Sequence, residues 1–279
     1  MENLNIVFIG CGNMGKSLIG GLLTDGYQKE KLTGVDIDQQ KLELIGKNFN
    51  IETTLDGIHA VSNADVVVLS VKPQSMQNTL TALRPGLQTS KPLLISIAAG
   101  IRLKDLERWA GDEFAFVRAM PNTPALIQCS ATALFANKNT SEEHCSTAES
   151  ILRAVGIVIW LENESQLDTV TALSGSGPAY YFLIMEVMKK AAIKLGLSEE
   201  QAGILTLETA VGAAKMAIES EYDPSVLREQ VTSPGGTTEK ALEVLFNGQI
   251  EDLFYSALSA ARTRSIELAD GLGKSDEFG

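Results

Sequence analysis

Three glycines near the start of the chain have the spacing of a dinucleotide-binding loop. The segment "GCGNMG" follows the apolar run "NIVFIG" and precedes a helical run, with Gly10, Gly12 and Gly15 at G-x-G-x-x-G positions. In such loops the first glycine permits a tight turn, the second lets the backbone approach a pyrophosphate, and the third allows close helix packing. The motif therefore predicts a cofactor site at a helix N-terminus. Its predicted contacts are Gly10, Gly12, Asn13, Met14 and Gly15.

An acidic residue ends the second apolar run, "LTGVDI". Asp36 stands about 20 positions beyond the glycine loop, where a carboxylate accepts hydrogen bonds from the adenosine ribose and repels a 2′-phosphate. Asp38 adds a second acidic group. Lys41 is the only nearby positive charge that could offset them, and no Arg lies between Asp36 and Gly46. These residues favour NADH over NADPH. A solvated strand end is the simpler reading of either Asp taken singly.

Short motifs follow the later strands, where the carboxyl ends of a parallel sheet bind ligands. "VKP" could present backbone to the cofactor and a lysine to a phosphate or a substrate carboxylate, although a surface lysine before a turn-forming proline explains it equally well. "AAG" follows the fourth strand, and "PNTPA" is first a rigid turn and second a site. The cofactor contacts predicted here are Val71, Lys72, Pro73, Ala98, Ala99 and Asn122.

Other kinds of catalytic site have little support. His59 and His144 are the only histidines, and neither has a Cys, His or carboxylate at metal-ligand spacing, so no metal is expected. "LSGSGPA" lacks the flanking glycines of a G-x-S-x-G nucleophile elbow. The dinucleotide must therefore carry the reaction, which indicates hydride transfer unless the cofactor is only sensed.

The elements that must position these residues differ between the two halves of the chain. Up to residue 162, short β-rich runs alternate with helix-sized segments, which predicts a largely parallel sheet in an α/β domain over 1–162. Several runs, such as "DVVVLSV", are nearly continuous in apolar residues, as in strands buried on both faces. The predicted strands are 5–10, 32–37, 65–71, 92–98, 114–120, 130–136 and 156–162.

From Ser165 onward the apolar residues have helical spacing, which predicts an all-α domain over 163–279. Ser198 with Gln201 forms a capping box, and Asp223 before Pro224 begins a further helix. The last helix is expected to end at Asp270. The residues after it, "GLGKSDEFG" (271–279), are expected to form a disordered tail.

A second glycine turn interrupts this helical half. "SPGGTT" places Pro234, Gly235 and Gly236 between two helices and follows them with Thr237 and Thr238. Backbone N–H groups in a turn at a helix N-terminus form a site for anions. The simpler interpretation is a helix breaker, with one of the threonines capping the next helix.

Composition limits the function classes. The chain has 279 residues, enough for two domains, and 23 Lys plus Arg against 35 Asp plus Glu give a net charge of -12, which argues against nucleic acid binding. Cys11, Cys129 and Cys145 lack C-x-x-C pairing and are expected to be reduced. The start "MENLNIVFIG" has no features of a signal peptide. We therefore expect a cytoplasmic protein without nucleic acid or membrane partners.

Six motifs together resemble the pyrroline-5-carboxylate reductases, the last enzymes of proline biosynthesis. They are "FIGCGNMG", "SVKP", "ISIAAG", "MPNTPA", "LSGSGPAYYF" and "VTSPGGTTEKAL", and they occur in the family's order from the first strand to the final helix. A G-x-G-x-x-G loop alone does not distinguish families, whereas S-P-G-G-T-T between helices is quite specific.

The resemblance implies a Rossmann-type N-terminal domain and an all-α C-terminal dimerisation domain that interleaves its helices with those of a second copy. A homodimer is the smallest assembly expected, and the family often builds larger rings such as a decamer. The implied reaction is hydride transfer from NADPH or NADH to the imine carbon of 1-pyrroline-5-carboxylate, a cyclic imino acid, giving L-proline. Because the family commonly favours NADPH while Asp36 favours NADH, the choice of nucleotide stays open.

The resemblance also implies roles for the second glycine turn. The substrate carboxylate is expected at Gly235 and Gly236, and the hydroxyl of Thr238 is expected to contact the ring nitrogen as the catalytic group. The family often carries Ala at the position of Thr237, so this residue is expected to act through its backbone N–H. The implied substrate-binding residues are Val231, Ser233, Gly235, Gly236, Thr237 and Thr238.

Two other functions fit parts of the sequence. A β-hydroxyacid dehydrogenase also joins a Rossmann half to a helical half and uses a catalytic lysine, for which Lys189, Lys190 and Lys194 are candidates. On a helix these lysines more simply form a solvated face. A non-catalytic nucleotide-binding regulator is the other alternative, and the glycine turn with Thr238 argues against it because a sensor needs no carboxylate site.

Overall fold

The computed structural model of the chain describes residues 3–273. Contacts divide it into two compact units, of which one is Gly177–Ala260 and the other holds the rest of the described chain. The unit with the sheet thus also includes residues 163–176 and 261–273, beyond the boundary expected at 162. Ion pairs connect both segments to this unit: Glu164 contacts Arg118 at 2.5 Å, and Asp270 contacts Arg102 at 2.6 Å.

Eight strands form a single sheet in the unit that excludes Gly177–Ala260. In chain order they are β1 (Ile6–Ile9), β2 (Leu32–Val35), β3 (Glu52–Thr54), β4 (Val66–Leu69), β5 (Leu93–Ser96), β6 (Phe116–Met120), β7 (Ser130–Ala136) and β8 (Gly156–Trp160). Their order in the sheet is β3-β2-β1-β4-β5-β6-β7-β8, and every neighbouring pair is parallel except β6 with β7. All seven predicted strands form, and β3 is an addition.

The sheet register aligns the carboxyl ends of the central strands. Ile9 pairs with Val35 on one side and with Leu69 on the other, and Leu69 pairs with Ser96. The chain leaves β1 toward β2 on one side of the sheet, whereas β4 lies on the other side of β1. This reversal makes the edge beyond β1 and β4 a topological switch point, where α/β sheets bind ligands.

Seven helices belong entirely to this unit: α1 (Asn13–Thr24), α2 (Gln39–Phe49), α3 (Gly57–Val61), α4 (Met76–Ser90), α5 (Leu103–Ala110), α6 (Glu142–Arg153) and α7 (Gln166–Val170). They cover both faces of the sheet, since alternate residues of one strand enter different core clusters. Ile6 and Phe8 pack in one cluster, and Val7 and Ile9 in the other. Burial on both faces explains the nearly continuous apolar runs of the sequence.

The remaining helices are α8 (Gly177–Lys194), α9 (Glu199–Glu219), α10 (Pro224–Gln230), α11 (Thr237–Asn247) and α12 (Ile250–Gly273). The predicted capping box of Ser198 and Gln201 is present at the start of α9, and the Asp223 side chain caps α10. The helix α12 continues past Asp270 to Gly273, so the first residues of the expected tail are helical. The rest of that tail lies outside the described residues.

The prediction for the start of α11 was wrong in one respect. Gly236 is the N-cap, with φ −80° and ψ 170°, and Thr237 and Thr238 are the first two residues of the helix. Because the extended conformation falls on Gly236, neither threonine hydroxyl occupies the capping position.

None of the helices within residues 3–273 combines the length and the apolar character that crossing a bilayer requires.

Candidate active site

The first glycine loop leaves β1 through a turn that only glycine fits. Gly10 has φ +96° and donates its N–H to the Val35 carbonyl at 2.7 Å, while a Cβ there would lie 2.7 Å from the carbonyl oxygen of Ser70. Gly15, in the first turn of α1, is equally confined, because its Cβ would lie 2.6 Å from the Gly10 carbonyl oxygen. The two outer glycines thus fix the path of the loop between two parallel strands.

The middle glycine faces a different environment. Gly12 is the N-cap of α1, makes no side-chain cap, and has no heavy atom within 4 Å of the position a Cβ would take. The first amides of a helix have no partner within the helix, and no acceptor for those of Asn13, Met14 and Gly15 lies among residues 3–273. An open N-terminus with unpaired amides fits the pyrophosphate of a dinucleotide.

Ser70 holds this loop in place by hydrogen bonds, and its role was not predicted from the sequence. Its Oγ lies 2.5 Å from the Gly10 carbonyl oxygen and 3.1 Å from that of Ile9, and its backbone N–H donates to Ile9 at 2.8 Å. A serine directly after a buried strand that neighbours β1 is the signal that could have identified it.

Asp36 is bonded to the same loop. Its Oδ2 accepts the N–H of Cys11 at 2.8 Å, its Oδ1 accepts the N–H of Asp38 at 3.1 Å, and Lys41 Nζ lies 3.7 Å from Oδ1. Each carboxylate oxygen can accept a further hydrogen bond, so a ribose hydroxyl could still bind there. Burial, together with the charge of Asp36, raises the pKa of the Cys11 thiol to about 11, which keeps it neutral near pH 7.

The motifs after β4 and β5 lie at the same edge as the glycine loop. Val71 is half-buried, Lys72 is exposed, and Pro73 begins a short 3₁₀ turn, Pro73–Ser75. Ala98 is buried and Ala99 is half-buried. Because β4 and β5 end level with β1, their following residues reach the switch point, whereas their contacts with a cofactor stay predictions.

Asn122 has its side chain committed to other parts of the protein. Its Nδ2 donates to the Ser174 carbonyl at 3.0 Å, and its Oδ1 accepts from Ser130 Oγ at 3.1 Å and from the N–H of Ala131 at 3.0 Å. Ser174 belongs to a π-helical turn, Thr171–Gly175, in the motif "LSGSGP". The amide therefore connects the end of β6 with that turn, and any cofactor contact of Asn122 would use the one side-chain N–H that remains.

The second glycine turn has both glycine amides engaged. Gly235 has φ +74° and donates its N–H to Glu239 Oε2 at 2.8 Å. The N–H of Gly236 bonds to the carbonyl oxygen of Ser233 at 2.9 Å, which closes the turn. Glu239 was not predicted from the sequence, because which amide its side chain reaches depends on the path of the turn.

The unpaired amides at this turn are those of the first three residues of α11, and they include the two threonines. No acceptor for the N–H groups of Thr237 and Thr238 lies in the described part of the chain, and both are in the first turn of α11. Thr238 is half-buried and Thr237 is exposed. Val231, the C-cap of α10, is exposed as well and offers an apolar side chain next to the turn.

Comparisons with known proteins decide the family. A family described as pyrroline-5-carboxylate reductase dimerisation matches residues 164–268, and one described as NADP oxidoreductase, coenzyme F420-dependent, matches residues 5–100. The pyrroline-5-carboxylate reductase of Pseudomonas aeruginosa is 48% identical over 274 residues, which cover 98% of this chain and 100% of that protein. The chain belongs to the pyrroline-5-carboxylate reductase family.

Solved structures of the family agree with this assignment. A pyrroline-5-carboxylate reductase from Coxiella burnetii has a TM-score of 0.92 at 45% identity, covering 95% of this chain and 98% of that one. The Plasmodium falciparum pyrroline carboxylate reductase, solved with NADP bound, has a TM-score of 0.85 at 30% identity, covering 96% and 99%. The predicted family, the Rossmann-type domain and the all-α dimerisation domain are confirmed.

Of the three candidate lysines of the alternative dehydrogenase, Lys190 and Lys194 are exposed and Lys189 is half-buried. Lys189 pairs with Glu199 at 2.9 Å, and Lys190 pairs with Glu186 one helical turn away. The carboxylates of both pairs are exposed, as expected of a solvated helix face.

Proposed function

We propose that this chain reduces 1-pyrroline-5-carboxylate to L-proline and that the turn between α10 and α11 binds the substrate carboxylate. The chain is an NAD(P)H-dependent oxidoreductase of the pyrroline-5-carboxylate reductase family. The observation that carries the proposal is that this turn already holds a carboxylate, that of Glu239, on the Gly235 N–H at 2.8 Å. Backbone amides at a helix N-terminus favour such a group.

The amides that remain unpaired define the binding site. We assign the substrate carboxylate first to the N–H groups of Thr237 and Thr238, because those of Gly235 and Gly236 have partners within the turn and the Gly235 amide becomes accessible only if Glu239 is displaced. Gly236 keeps the role of an extended N-cap, where a side chain would lie 2.8 Å from the Ser233 carbonyl oxygen. Val231 supplies apolar contact for the ring, and the Ser233 carbonyl fixes the turn.

The chemistry needs few side chains. NAD(P)H supplies the hydride, which is added to the carbon of the C=N bond. The protonated cyclic imine is already electrophilic and becomes an amine without a separate strong acid, so binding and orientation account for most of the acceleration. The hydroxyl of Thr238 is proposed to orient the ring nitrogen. A reaction that depends on binding and orientation needs no catalytic acid, which is consistent with the absence of histidine from both glycine turns.

The loop after β1 is proposed to bind the pyrophosphate through the amides of Asn13 and Met14. Asp36 is proposed to bind the adenosine ribose and to favour NADH, since its carboxylate would repel a 2′-phosphate. Lys41, 3.7 Å from Asp36, partly offsets that charge. The NADP bound by the Plasmodium falciparum relative supports use of NADPH as well. Val71, Lys72, Pro73, Ala98, Ala99 and Asn122 complete the proposed cofactor site.

The match to a dimerisation family indicates that the protein assembles with itself. We propose a homodimer as the smallest assembly and a decameric ring as the larger one. Large apolar side chains of α8 and α9, such as Phe182, Leu183 and Leu205, are exposed in the single chain and are proposed to be covered by the second copy. The three unpaired cysteines support work in the reducing cytoplasm.

Two neighbouring threonines test the proposed site. Thr238→Ala should lower kcat roughly ten- to hundredfold, because it removes one hydrogen bond of about 0.5–1.5 kcal/mol and disturbs ring orientation. Thr237→Ala, which keeps the backbone N–H, should change kcat less than about threefold. Steady-state nicotinamide oxidation measures both. Equal effects of the two substitutions would refute the role of the Thr238 hydroxyl.

A further inference from the structure

We propose that Glu239 is a competing group that sets the substrate affinity of the turn, and that its carboxylate holds the Gly235 amide until the substrate carboxylate displaces it. The inference rests on the proposed function, since it concerns the same carboxylate site. It adds a competing anion within the chain, which lowers the affinity of the turn for any ligand that uses the Gly235 amide.

The position of Glu239 is unusual for a helix start. In a capping box the third residue of the helix bonds to the amide of the N-cap. In α11 the N-cap amide, that of Gly236, is bonded to the Ser233 carbonyl, and Glu239 Oε2 reaches one residue further, to Gly235 at 2.8 Å. The Glu239 carboxylate therefore lies over the turn that is proposed to receive the substrate.

The two carboxylates cannot both bind this amide well. The Gly235 N–H has a single hydrogen, and at 2.8 Å Glu239 already makes a charge-assisted bond of ordinary length. Like charges on one small turn also repel each other. The next cationic residue, Lys240, does not offset this charge, because its Nζ contacts both carboxylate oxygens of Glu243, at 2.8 and 2.9 Å.

This competition acts on every ligand that uses the same amide. A carboxylate that binds the Thr237 and Thr238 amides can also take the Gly235 amide, but only by displacing Glu239. Glu239 therefore lowers the affinity of the turn for the substrate and for simple carboxylates alike. Without its side chain, both the substrate and simple carboxylates should bind more tightly.

The test compares Glu239→Ala and Glu239→Gln with Glu251→Ala, a charge removal in the first turn of α12. For Glu239→Ala we expect the KM for 1-pyrroline-5-carboxylate to fall about three- to tenfold with kcat within twofold. The inhibition constant of acetate should fall by a similar factor. Glu239→Gln, which keeps an acceptor without the charge, should be intermediate, and Glu251→Ala should leave both constants unchanged.

A KM that stays the same or rises in Glu239→Ala would overturn the proposal, because the carboxylate would then be organising the turn for the substrate. Should that variant fail to fold, Glu239→Gln provides the same test: a lower KM supports the proposal, and an unchanged or higher KM overturns it. Titration of the wild-type protein with L-proline, followed at the Gly235 amide resonance, separates the two proposals. A shift of that resonance without turnover would contradict the reductase function alone, and turnover without a shift would contradict the displacement of Glu239.

Discussion

At the scale of single residues, Asp36 has two sets of partners to satisfy. Its carboxylate organises the glycine loop through the amides of Cys11 and Asp38, and it is also the group that would meet a 2′-phosphate. Its side chain is only 9% exposed, so its charge is less screened by solvent than that of a surface carboxylate.

Replacing Asp36 should therefore change nucleotide preference as well as binding. For Asp36→Asn we expect the ratio of kcat/KM with NADPH to kcat/KM with NADH to rise roughly five- to thirtyfold, from about 1–2 kcal/mol of lost repulsion. The KM for both nucleotides should increase, because an amide nitrogen would face a backbone N–H. Asp38→Asn is the control, since Asn caps α2 as well as Asp. An unchanged ratio in Asp36→Asn would refute the assignment.

How much of the site the sequence could predict depends on the kind of residue. Gly10 and Gly15 were predictable because their conformation and close contacts exclude other residues. Ser70 and Glu239 were not, since both act through one side-chain rotamer whose partner is distant in sequence or set by the path of a turn. The rigid turn that contains Asn122 was predictable from its prolines. The three hydrogen bonds of the Asn122 side-chain amide were not, because they depend on how β6, β7 and the π-helical turn pack.

At the scale of elements, different glycines of the loop between β1 and α1 are expected to determine nucleotide binding and folding stability. Gly12→Ala should leave the free energy of unfolding nearly unchanged, because its backbone angles suit alanine and no atom lies within 4 Å of the new methyl group. The same methyl group should obstruct the pyrophosphate and raise the KM for the nucleotide at least about tenfold.

Gly15→Ala is the matched comparison on the same helix. Its methyl group would lie 2.6 Å from the Gly10 carbonyl oxygen, so we expect a loss of about 1–3 kcal/mol in the free energy of unfolding. Urea denaturation and nucleotide kinetics of both variants measure the contrast. A large loss of stability in Gly12→Ala would contradict an open position at the helix start.

Elements with strong local signals were predicted and weak ones were not. The capping box at Ser198 and the Asp223 cap follow from side chains that bond within their own turn. The strand β3, Glu52–Thr54, has no apolar run because it is a short strand at the sheet edge. The antiparallel pairing of β7 with β6 depends on the connection Thr123–Ile127, which no periodicity reveals.

At the scale of the whole molecule, apolar exposure in Gly177–Ala260 predicts self-association. We expect wild-type protein to have at least twice the mass of one chain in light scattering. Leu205→Glu on α9 should shift that mass toward the single chain, because it places a charge in an apolar contact surface. Leu44→Glu on α2, another exposed leucine, is the control. A monomeric wild-type protein would contradict the proposed dimer.

Each compact unit has one glycine turn at a helix start, and each turn has its own role in the function proposed for the chain. The most direct test is turnover of 1-pyrroline-5-carboxylate with NADPH and with NADH, compared with 1-pyrroline, which lacks the carboxylate. We predict nicotinamide oxidation with L-proline as the product, and a kcat/KM roughly ten- to hundredfold lower for 1-pyrroline, from the lost charge-assisted hydrogen bonds. Absence of turnover of 1-pyrroline-5-carboxylate with either nucleotide would contradict the account.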